Sequence, residues 1–221
     1  MIPELAHISD IRSFDKNELI DWLTYKAGSN NARHFIGIEI NNVYCQLELQ
    51  QVPREYAELL MYLKNCGAKS YLNIGIGNGG SFLVESYIQS ELELSVAVDN
   101  TSYGELSSLD RIVERINWLK DNIPAKVFFH NIDSSLYFKY NGDLNKDTFD
   151  VIFIDGDHSY KGVKADFEES VKILNTGGHI IFHDINSLLC EGVVKFWKEI
   201  KNKKCLEFID GNKCGIGIYK K

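Results

Sequence analysis

Polar side chains suited to proton transfer or metal binding follow two apolar segments of the chain. Asp155, Asp157 and His158 come directly after DVIFI, and His183 and Asp184 come directly after HIIF. Apolar runs of this kind predict strands that are buried on both faces of a parallel sheet. The carboxyl ends of two such strands meet at one edge, where isolated charges would be costly. A metal ion or mutual hydrogen bonds would relieve that cost, and an imidazole there can also act as a general base.

A second chemical signal is a glycine-rich turn in the segment YLNIGIGNGGS. Such a turn lets a ligand approach the backbone closely. Gly75, Gly77 and Gly80 spell the dinucleotide fingerprint G-x-G-x-x-G. Gly75, Gly77 and Gly79 spell G-x-G-x-G, which resembles the S-adenosylmethionine (SAM) loop of methyltransferases. Asp99 ends the next predicted strand and can accept hydrogen bonds from a ribose, which both ligands carry, so it does not choose between them.

Predicted strands and helices alternate from Ser70 onwards. The pattern predicts strands at 70–76, 94–99, 126–129, 150–154, 179–182, 205–209 and 215–219. Predicted helical segments follow the first, second, fourth and fifth of these strands, and only a turn separates the last two. Alternation of this kind predicts a parallel sheet covered on both faces, with a ligand bound at the carboxyl ends of its strands. We therefore predict an α/β fold: a Rossmann-like, doubly wound, mostly parallel seven-stranded sheet with a C-terminal antiparallel hairpin.

The segment before this pattern has a different character. A helix is predicted after Pro53, because Leu59 and Leu63 continue an apolar repeat at helical spacing. We predict that residues 1–66 form an N-terminal helical extension or lid. Residues 67–221 are then predicted to form the ligand-binding domain.

The composition of the chain limits which partners and which cellular compartment we expect. The 221 residues carry a formal net charge of −7 with a pI of about 5.4. That balance disfavours nucleic acid and anionic membranes as partners. The five cysteines form no CxxC pair, which is typical of a reduced chain. No apolar run approaches membrane-spanning length, and the acidic first residues do not resemble a signal peptide. We therefore expect a cytoplasmic protein.

The most specific motif is FDVIFIDGDHSYKGVKADFEESVKILNTGGHIIFHDI. It follows the pattern strand–DGDHxY–helix–L-x-x-GG–strand–HD. On this motif, the chain from Ser70 onwards resembles a class I SAM-dependent methyltransferase. GVVKFWKEIK followed by GIGIYKK resembles the tail of the same subgroup. Two features also disfavour a dinucleotide site: about 70 residues precede the loop, and a hairpin stands where a second mononucleotide half would be.

The resemblance implies where the cofactor binds. The loop glycines would flank the methionine end, Asp99 would hold the ribose, and Asp133 would lie near the adenine. A helix cap or turn is an equal alternative for Asp133. Such loops commonly open with Glu or Asp, where this chain has Asn73. The implied cofactor-binding residues are Asn73, Gly75, Gly77, Gly79, Ser81, Asp99, Asp133 and Asp155.

The chain also resembles metal-dependent sugar and catechol O-methyltransferases. This resemblance implies Asp155, His183 and Asp184 as ligands of a divalent cation, and Asp155 and His158 as catalytic residues. In its D-x-x-H spacing, His158 would be the general base. The relatives usually carry a carboxylate at the position of His183. Mg²⁺ prefers oxygen ligands, whereas one His with two Asp suits Mn²⁺, Fe²⁺ or Zn²⁺, so the identity of the ion stays open.

We therefore expect an O-methyltransferase that transfers a methyl group from SAM to a hydroxyl of a small acceptor, with a sugar or glycan unit favoured. The ion would lower the pKa of the hydroxyl, and the base would take its proton. An NAD-dependent oxidoreductase and a non-catalytic SAM-binding module remain alternatives, and a homodimer is left open. Tyr103 and Tyr160 are candidates for the acceptor site, and Asp157 is predicted to cap a helix.

Overall fold

The computed structural model describes residues 8–24, 37–40, 43–102, 104, 108–141, 148–201, 205–211 and 213–221. A 3-10 helix at Ile8–Arg12 comes first. The helices are α1 (Lys16–Thr24), α2 (Pro53–Asn65), α3 (Gly80–Ile88), α4 (Leu109–Asn122), α5 (Ser134–Asn141), α6 (Tyr160–Ile173) and α7 (Glu191–Ile200). The strands are β1 (Gly37–Ile40), β2 (Val43–Gln46), β3 (Ser70–Ile74), β4 (Leu94–Asp99), β5 (Lys126–Asn131), β6 (Phe149–Ile154), β7 (Leu174–His183), β8 (Leu206–Phe208) and β9 (Ile216–Lys220).

Seven strands form one sheet in the order β5-β4-β3-β6-β7-β9-β8. The first five in that order are parallel, and β9 runs antiparallel to both β7 and β8. The connections leave β3 and β6 in opposite directions along the sheet, so the switch point lies between these two strands. The predicted fold is confirmed, including the closing hairpin. β1 and β2 pair separately as an antiparallel ribbon.

Two strand boundaries differ from the predictions for backbone reasons. β3 ends at Ile74 rather than at residue 76, because Gly75 turns away with a φ of 85°. β7 begins at Leu174, which pairs with Phe149 of β6. The Gly177–Gly178 pair, which comes before the predicted strand at 179–182, therefore lies within β7, and Gly177 has a φ of 81°.

Side chains of the sheet point alternately to its two faces and pack into two apolar clusters, one on each face. Tyr71 of β3 belongs to one cluster, and Leu72 and Ile74 belong to the other. On the second face, Trp197 of α7 is 2% exposed, as expected for a core residue. A Cβ at Gly217 of β9 would lie 2.6 Å from its ring, so the strand and the indole are in direct contact.

The segment before the sheet packs on the first of these clusters. Leu59, Leu60 and Leu63 of α2 are buried there together with Leu47 and Leu49. Burial of each such side chain stabilises the fold by about 1.5–3 kcal/mol. The N-terminal segment and the sheet therefore share one apolar cluster.

Candidate active site

The carboxyl ends of β6 and β7 bring the predicted polar residues together. Asp155 follows β6, His183 is the last residue of β7, and Asp184 comes next. Asp155 Oδ1 and Asp184 Oδ2 each lie 3.3 Å from His183 Nδ1. Asp184 has a φ of 62°, in the left-handed region that residues other than glycine seldom adopt. Backbone strain of this kind clusters at functional sites.

His158 joins this group from the loop between β6 and α6. Its Nε2 lies 3.3 Å from Asp155 Oδ1 and 3.7 Å from Asp184 Oδ2. Its Nδ1 lies 3.2 Å from the Sγ of Cys190. A Cβ at Gly192 would overlap the His158 carbonyl, so the first turn of α7 rests directly on this loop. The side chain is 37% exposed, which leaves it open to a ligand.

Two cysteines at the same edge were not identified from the sequence. One ligand atom from each of His158, Asp184 and Cys190 lies within 4.8 Å of the others, and the same holds for His183, Asp184 and Cys214. The predicted C-terminal hairpin could have indicated that Cys214 lies at this edge. A strand antiparallel to β7 must begin where β7 ends, so the residues just before β9 reach the edge that carries the polar cluster.

The charges of the cluster stabilise one another. Burial raises the pKa of Asp155 and Asp184, but the charge of His183 and hydrogen bonds from imidazole outweigh it, so both pKa values lie below their ordinary range. The hydrogen bond to Asp155 raises the pKa of His158 to about 11. Burial lowers the pKa of His183, but Asp155 outweighs burial and that pKa lies well above its usual value. Each imidazole therefore favours the ionised form of the carboxylates beside it, and each carboxylate favours the protonated form of the imidazoles.

The residues of this cluster suit a divalent cation. Carboxylate, imidazole and thiol groups are all common metal ligands. His183 Nε2 is buried and has no hydrogen-bond partner among the described residues. A buried polar atom without a partner is uncommon in proteins and calls for an explanation such as an ion. The cluster therefore meets the chemical requirements of a cation site.

The glycine loop lies beside this cluster, across the switch point. Gly75, Gly77 and Gly79 have φ values of 85°, 53° and 82°, which favour glycine. A Cβ at Gly75 would overlap the carbonyl oxygen of Asp155. The loop after β3 and the polar residues after β6 are therefore in contact, as the predicted sheet requires.

The fourth glycine of the loop has a packing role. A Cβ at Gly80 would overlap the carbonyl oxygen of Leu47, which lies against the first turn of α3. In the next position, the carbonyl oxygen of Ser81 accepts a hydrogen bond of 3.2 Å from the Tyr56 hydroxyl. Contact with the N-terminal segment thus explains Gly80 without a dinucleotide.

The side chain of Asp99 holds the glycine loop by accepting hydrogen bonds from the backbone of the loop. Its Oδ2 accepts hydrogen bonds from the N–H groups of Ile76 at 2.9 Å and Gly77 at 3.0 Å. Its Oδ1 accepts a bond of 2.6 Å from the N–H of Thr101. The carboxylate therefore fixes the loop as well as ending β4, and the ribose contact stays a prediction.

Asp133 caps α5. Its Oδ1 accepts hydrogen bonds from the N–H and hydroxyl of Ser135, at 3.0 and 2.5 Å, and its carbonyl accepts from Tyr137 at 2.9 Å. These contacts match the helix-cap role that was one of the two expectations for Asp133. Its contact with the adenine stays a prediction.

Asn73 points into a buried polar group under the loop. Its Nδ2 donates to Glu85 Oε2 at 2.8 Å and contacts the Tyr71 hydroxyl at 3.1 Å. Glu85 of α3 also accepts hydrogen bonds from Tyr56 at 3.1 Å and Tyr71 at 2.7 Å. Burial raises the pKa of Glu85 to about 7, although these bonds oppose the rise. A lone acid within the apolar helix SFLVESYI was the available sequence signal for this group.

Other predicted residues have structural partners. Ser159 is the N-cap of α6, and Asp157 supports it by accepting from the Ser159 N–H at 2.8 Å. Tyr160 donates to Glu199 of α7 at 2.6 Å, which commits its hydroxyl to helix packing. Tyr103 lies outside the described residues.

The comparisons with known proteins agree with the fold. A family model described as a methyltransferase domain matches residues 72–185, a segment that holds the glycine loop and the polar cluster. The chain therefore belongs to this methyltransferase family. The expectation of a SAM-dependent methyltransferase is confirmed at this level.

Individual proteins that resemble this chain do so at low sequence identity. Uncharacterized protein R132 of Acanthamoeba polyphaga mimivirus is 27% identical over 124 residues, which are 52% of this chain and 51% of that protein. The chain thus matches about half the length of this relative. An O-methyltransferase of Bacillus cereus, solved with S-adenosylhomocysteine (SAH), has a TM-score of 0.55 at 18% identity, covering 73% of this chain and 77% of its own. An rRNA methylase of Streptococcus thermophilus has a TM-score of 0.56 at 9% identity, covering 76% and 96%.

These structures share the fold, and a shared fold does not by itself identify an acceptor. Within the part of the chain that the structure describes, no helix is both long and apolar enough to cross a membrane.

Proposed function

We propose that the protein transfers the methyl group of SAM to a hydroxyl of a small acceptor, and that a sugar or glycan unit is that acceptor. The observation that carries the proposal is the contact between the glycine loop and the polar cluster, where Gly75 packs against Asp155. It sets a candidate base, His158, next to the loop that would hold the cofactor. The choice of a saccharide rests on the resemblance to sugar O-methyltransferases.

The proposed cofactor contacts come from the loop and the strand ends around it. The backbone at Gly75, Gly77 and Gly79 would admit the methionine end of SAM. Asp99, at the end of β4, would accept hydrogen bonds from the ribose hydroxyls. The other proposed contacts are Asn73, Ser81, Asp133 and Asp155.

The transfer itself is a displacement. The acceptor oxygen forms a bond to the methyl carbon as the bond from carbon to sulfur breaks, and the sulfonium becomes the neutral thioether of SAH. The hydroxyl proton passes to His158 Nε2, and Asp155, 3.3 Å away, stabilises the imidazolium that forms. His158 must first be neutral, yet Asp155 holds its pKa at about 11 in the metal-free arrangement.

A divalent cation would remove this obstacle. We propose that Asp155, His183 and Asp184 bind it. When bound, it would supply positive charge that lowers the pKa of the acceptor hydroxyl and opposes protonation of His158. The chain's own residues then orient the acceptor and take its proton.

A non-catalytic SAM-binding module is the second candidate. Its support is the same electrostatic balance: the imidazoles and carboxylates of the cluster favour one another's charged forms, as they would in a purely structural feature. This candidate keeps SAH binding and has no turnover.

The N-terminal segment is proposed to cover the cofactor loop, with the chain divided at residues 1–66 and 67–221. In support, Glu48 Oε2 accepts from Asn78 of the loop at 3.0 Å and lies 3.3 Å from Arg115 of α4. A cytoplasmic location and a homodimer are likewise proposals.

The first experiment is calorimetry on metal-stripped protein with SAH and, separately, with NAD. SAH binding in the micromolar range with no heat from NAD supports the cofactor assignment, and absence of SAH binding contradicts it. Release of SAH from SAM, measured with a panel of monosaccharides and catechols in the presence of Mn²⁺ or Zn²⁺, then separates the enzyme from the non-catalytic module.

A further inference from the structure

The geometry points to a metal centre with a sulfur ligand: we propose that His183, Asp184 and Cys214 bind a zinc-type cation in preference to Mg²⁺. This inference rests on the proposed function, because it concerns the same ion, and it revises the ligand set. Cys214 takes the place of Asp155. The site then has one nitrogen, one oxygen and one sulfur donor.

The three residues lie close enough together to converge on one ion. One ligand atom from each lies within 4.8 Å of the other two. His183 and Asp184 are each 6% exposed, and Cys214 is half-buried beside them. His183 Nδ1 lies 3.3 Å from a carboxylate oxygen of Asp155, and Nε2 is buried without a partner among the described residues. Nδ1 also lies 3.3 Å from Asp184, so this nitrogen faces both carboxylates, and carboxylates in such contacts orient imidazoles that bind metals.

The backbone on both sides of Cys214 is fixed. Glu55 of α2 is 2% exposed and accepts hydrogen bonds from the N–H groups of Asp210 at 2.8 Å and Gly215 at 2.9 Å. The Cys214 carbonyl accepts from the N–H of Asn186 at 2.8 Å. Two elements therefore hold this loop against the end of β7. A ligand on a fixed backbone loses little conformational entropy when the ion binds.

The close approach of this loop depends on a glycine. Gly215 has a φ of 74°, and a Cβ there would lie 2.9 Å from the Cβ of Asn186. A larger residue would push the loop, and Cys214 with it, away from Asp184. Glycine at this position is thus a local requirement for the sulfur to reach the cluster.

The donor set selects the ion. Mg²⁺ takes oxygen ligands almost exclusively. Thiolate and imidazole with a carboxylate suit Zn²⁺, Co²⁺ or Fe²⁺. Three protein ligands are also the number found in catalytic zinc sites, where the remaining position takes water or substrate.

The assignment leaves the candidate base free. His158 contacts Asp155 through Nε2 and Cys190 through Nδ1. The competing group of His158, Asp184 and Cys190 would consume that imidazole as a ligand. We therefore assign Cys214 as the metal ligand and Cys190 as a positioning residue for His158.

The test uses Co²⁺ as a spectroscopic probe in the reduced, metal-stripped full chain. Bound thiolate gives a sulfur-to-cobalt charge-transfer absorption in the near ultraviolet. We expect this band in the wild type, and a large excess of Mg²⁺ should not remove it. In Cys214→Ser the band should disappear and Co²⁺ affinity should fall at least about tenfold.

Two other cysteine variants serve as controls. Cys66→Ser changes a half-buried thiol at the end of α2, which donates to the Leu63 carbonyl, and should keep the band. Cys190→Ser should also keep it. Loss of the band in Cys190→Ser with retention in Cys214→Ser would overturn the proposal in favour of the other group. Absence of the band in folded wild-type protein would overturn it outright.

SAH calorimetry on the same samples separates this test from the proposed function. A variant that binds SAH like the wild type is folded, so loss of its band reports the ligand. A wild type that shows the cobalt band but neither binds SAH nor releases it from SAM would contradict the proposed function and leave the metal centre supported.

Discussion

The side-chain amide of Asn73 donates a hydrogen bond of 2.8 Å to the carboxylate of Glu85, beneath the glycine loop. Methyltransferase loops commonly open with an acid where this chain has Asn73. Here a carboxylate reaches the same strand from α3, and the Tyr56 and Tyr71 hydroxyls complete its hydrogen bonding. The acidic group is thus present at the base of the loop, although a different element supplies it.

Replacement of this acid should change how stability depends on pH. The folded pKa of Glu85 is raised to about 7 from an ordinary value of 4.5. Its contribution is therefore fully present below pH 4.5 and is lost as pH rises through about 7. In Glu85→Gln we expect the decrease in unfolding free energy between pH 5 and pH 8 to shrink by on the order of 3 kcal/mol. Urea unfolding at both pH values measures this.

The control for this experiment is Glu91→Gln, which changes an exposed acid just beyond α3. It should leave the pH dependence as in the wild type. An unchanged pH dependence in Glu85→Gln would show that Glu85 titrates normally in the folded protein.

The contact between Gly80 and Leu47 predicts a stability defect. Gly80→Ala places a methyl group on the Leu47 carbonyl oxygen, so the N-terminal segment must shift. We expect a loss of about 1–3 kcal/mol in the free energy of unfolding. Ser81→Ala, one residue further along the same helix, should change it by less than about 0.5 kcal/mol. Equal stabilities of the two variants would mean that residue 47 does not pack there in solution.

The hydrogen bonds of Asp99 predict a binding defect. Asp99→Asn removes the negative charge that the N–H groups of Ile76 and Gly77 share. Charge-assisted bonds of this kind contribute about 1.5–3 kcal/mol, so SAH should bind roughly ten- to a hundredfold more weakly. Calorimetry measures the affinity, with Asp121→Asn, an exposed change on α4, as the control. Wild-type affinity in Asp99→Asn would remove Asp99 from the cofactor site.

The proposed base predicts a separation of binding from turnover. His158→Gln cannot accept the hydroxyl proton, so kcat should fall by about 10²–10⁴ while SAH affinity stays as in the wild type. The control is His179→Gln in the middle of β7, where the imidazole packs on Tyr62 with ring centroids 5.5 Å apart. The assay is SAH release with whichever acceptor the panel identifies. Full activity in His158→Gln would transfer the base role to another group.

The sequence was sufficient to predict the architecture and the cluster at its edge. The apolar strands and the DGDHSY and HDI motifs placed Asp155, His158, His183 and Asp184 correctly, because parallel strands end at one edge. This success depends on local patterns, each of which lies within a few residues of its strand.

The contacts that were missed join distant parts of the chain. Cys214 reaches Asp184 through an antiparallel strand, and Leu47 reaches Gly80 through a loop whose path has no local signature. The hydrogen bonds of Glu85 were not predicted, because its partners, Tyr56 and Tyr71, come from two other elements. Side-chain partners of this kind depend on tertiary packing, which the spacing of residues along one segment does not encode.

The bonds of Glu55 to the loop around Cys214 also set an order of events during synthesis. The carboxylate and its partner Gly215 are 160 residues apart in the chain. Ribosomes add about 5–20 residues per second, so Gly215 is synthesised roughly ten to thirty seconds after Glu55. Earlier strands can pair in the meantime, so the sulfur-bearing loop is among the last parts of the edge to assemble on a nascent chain.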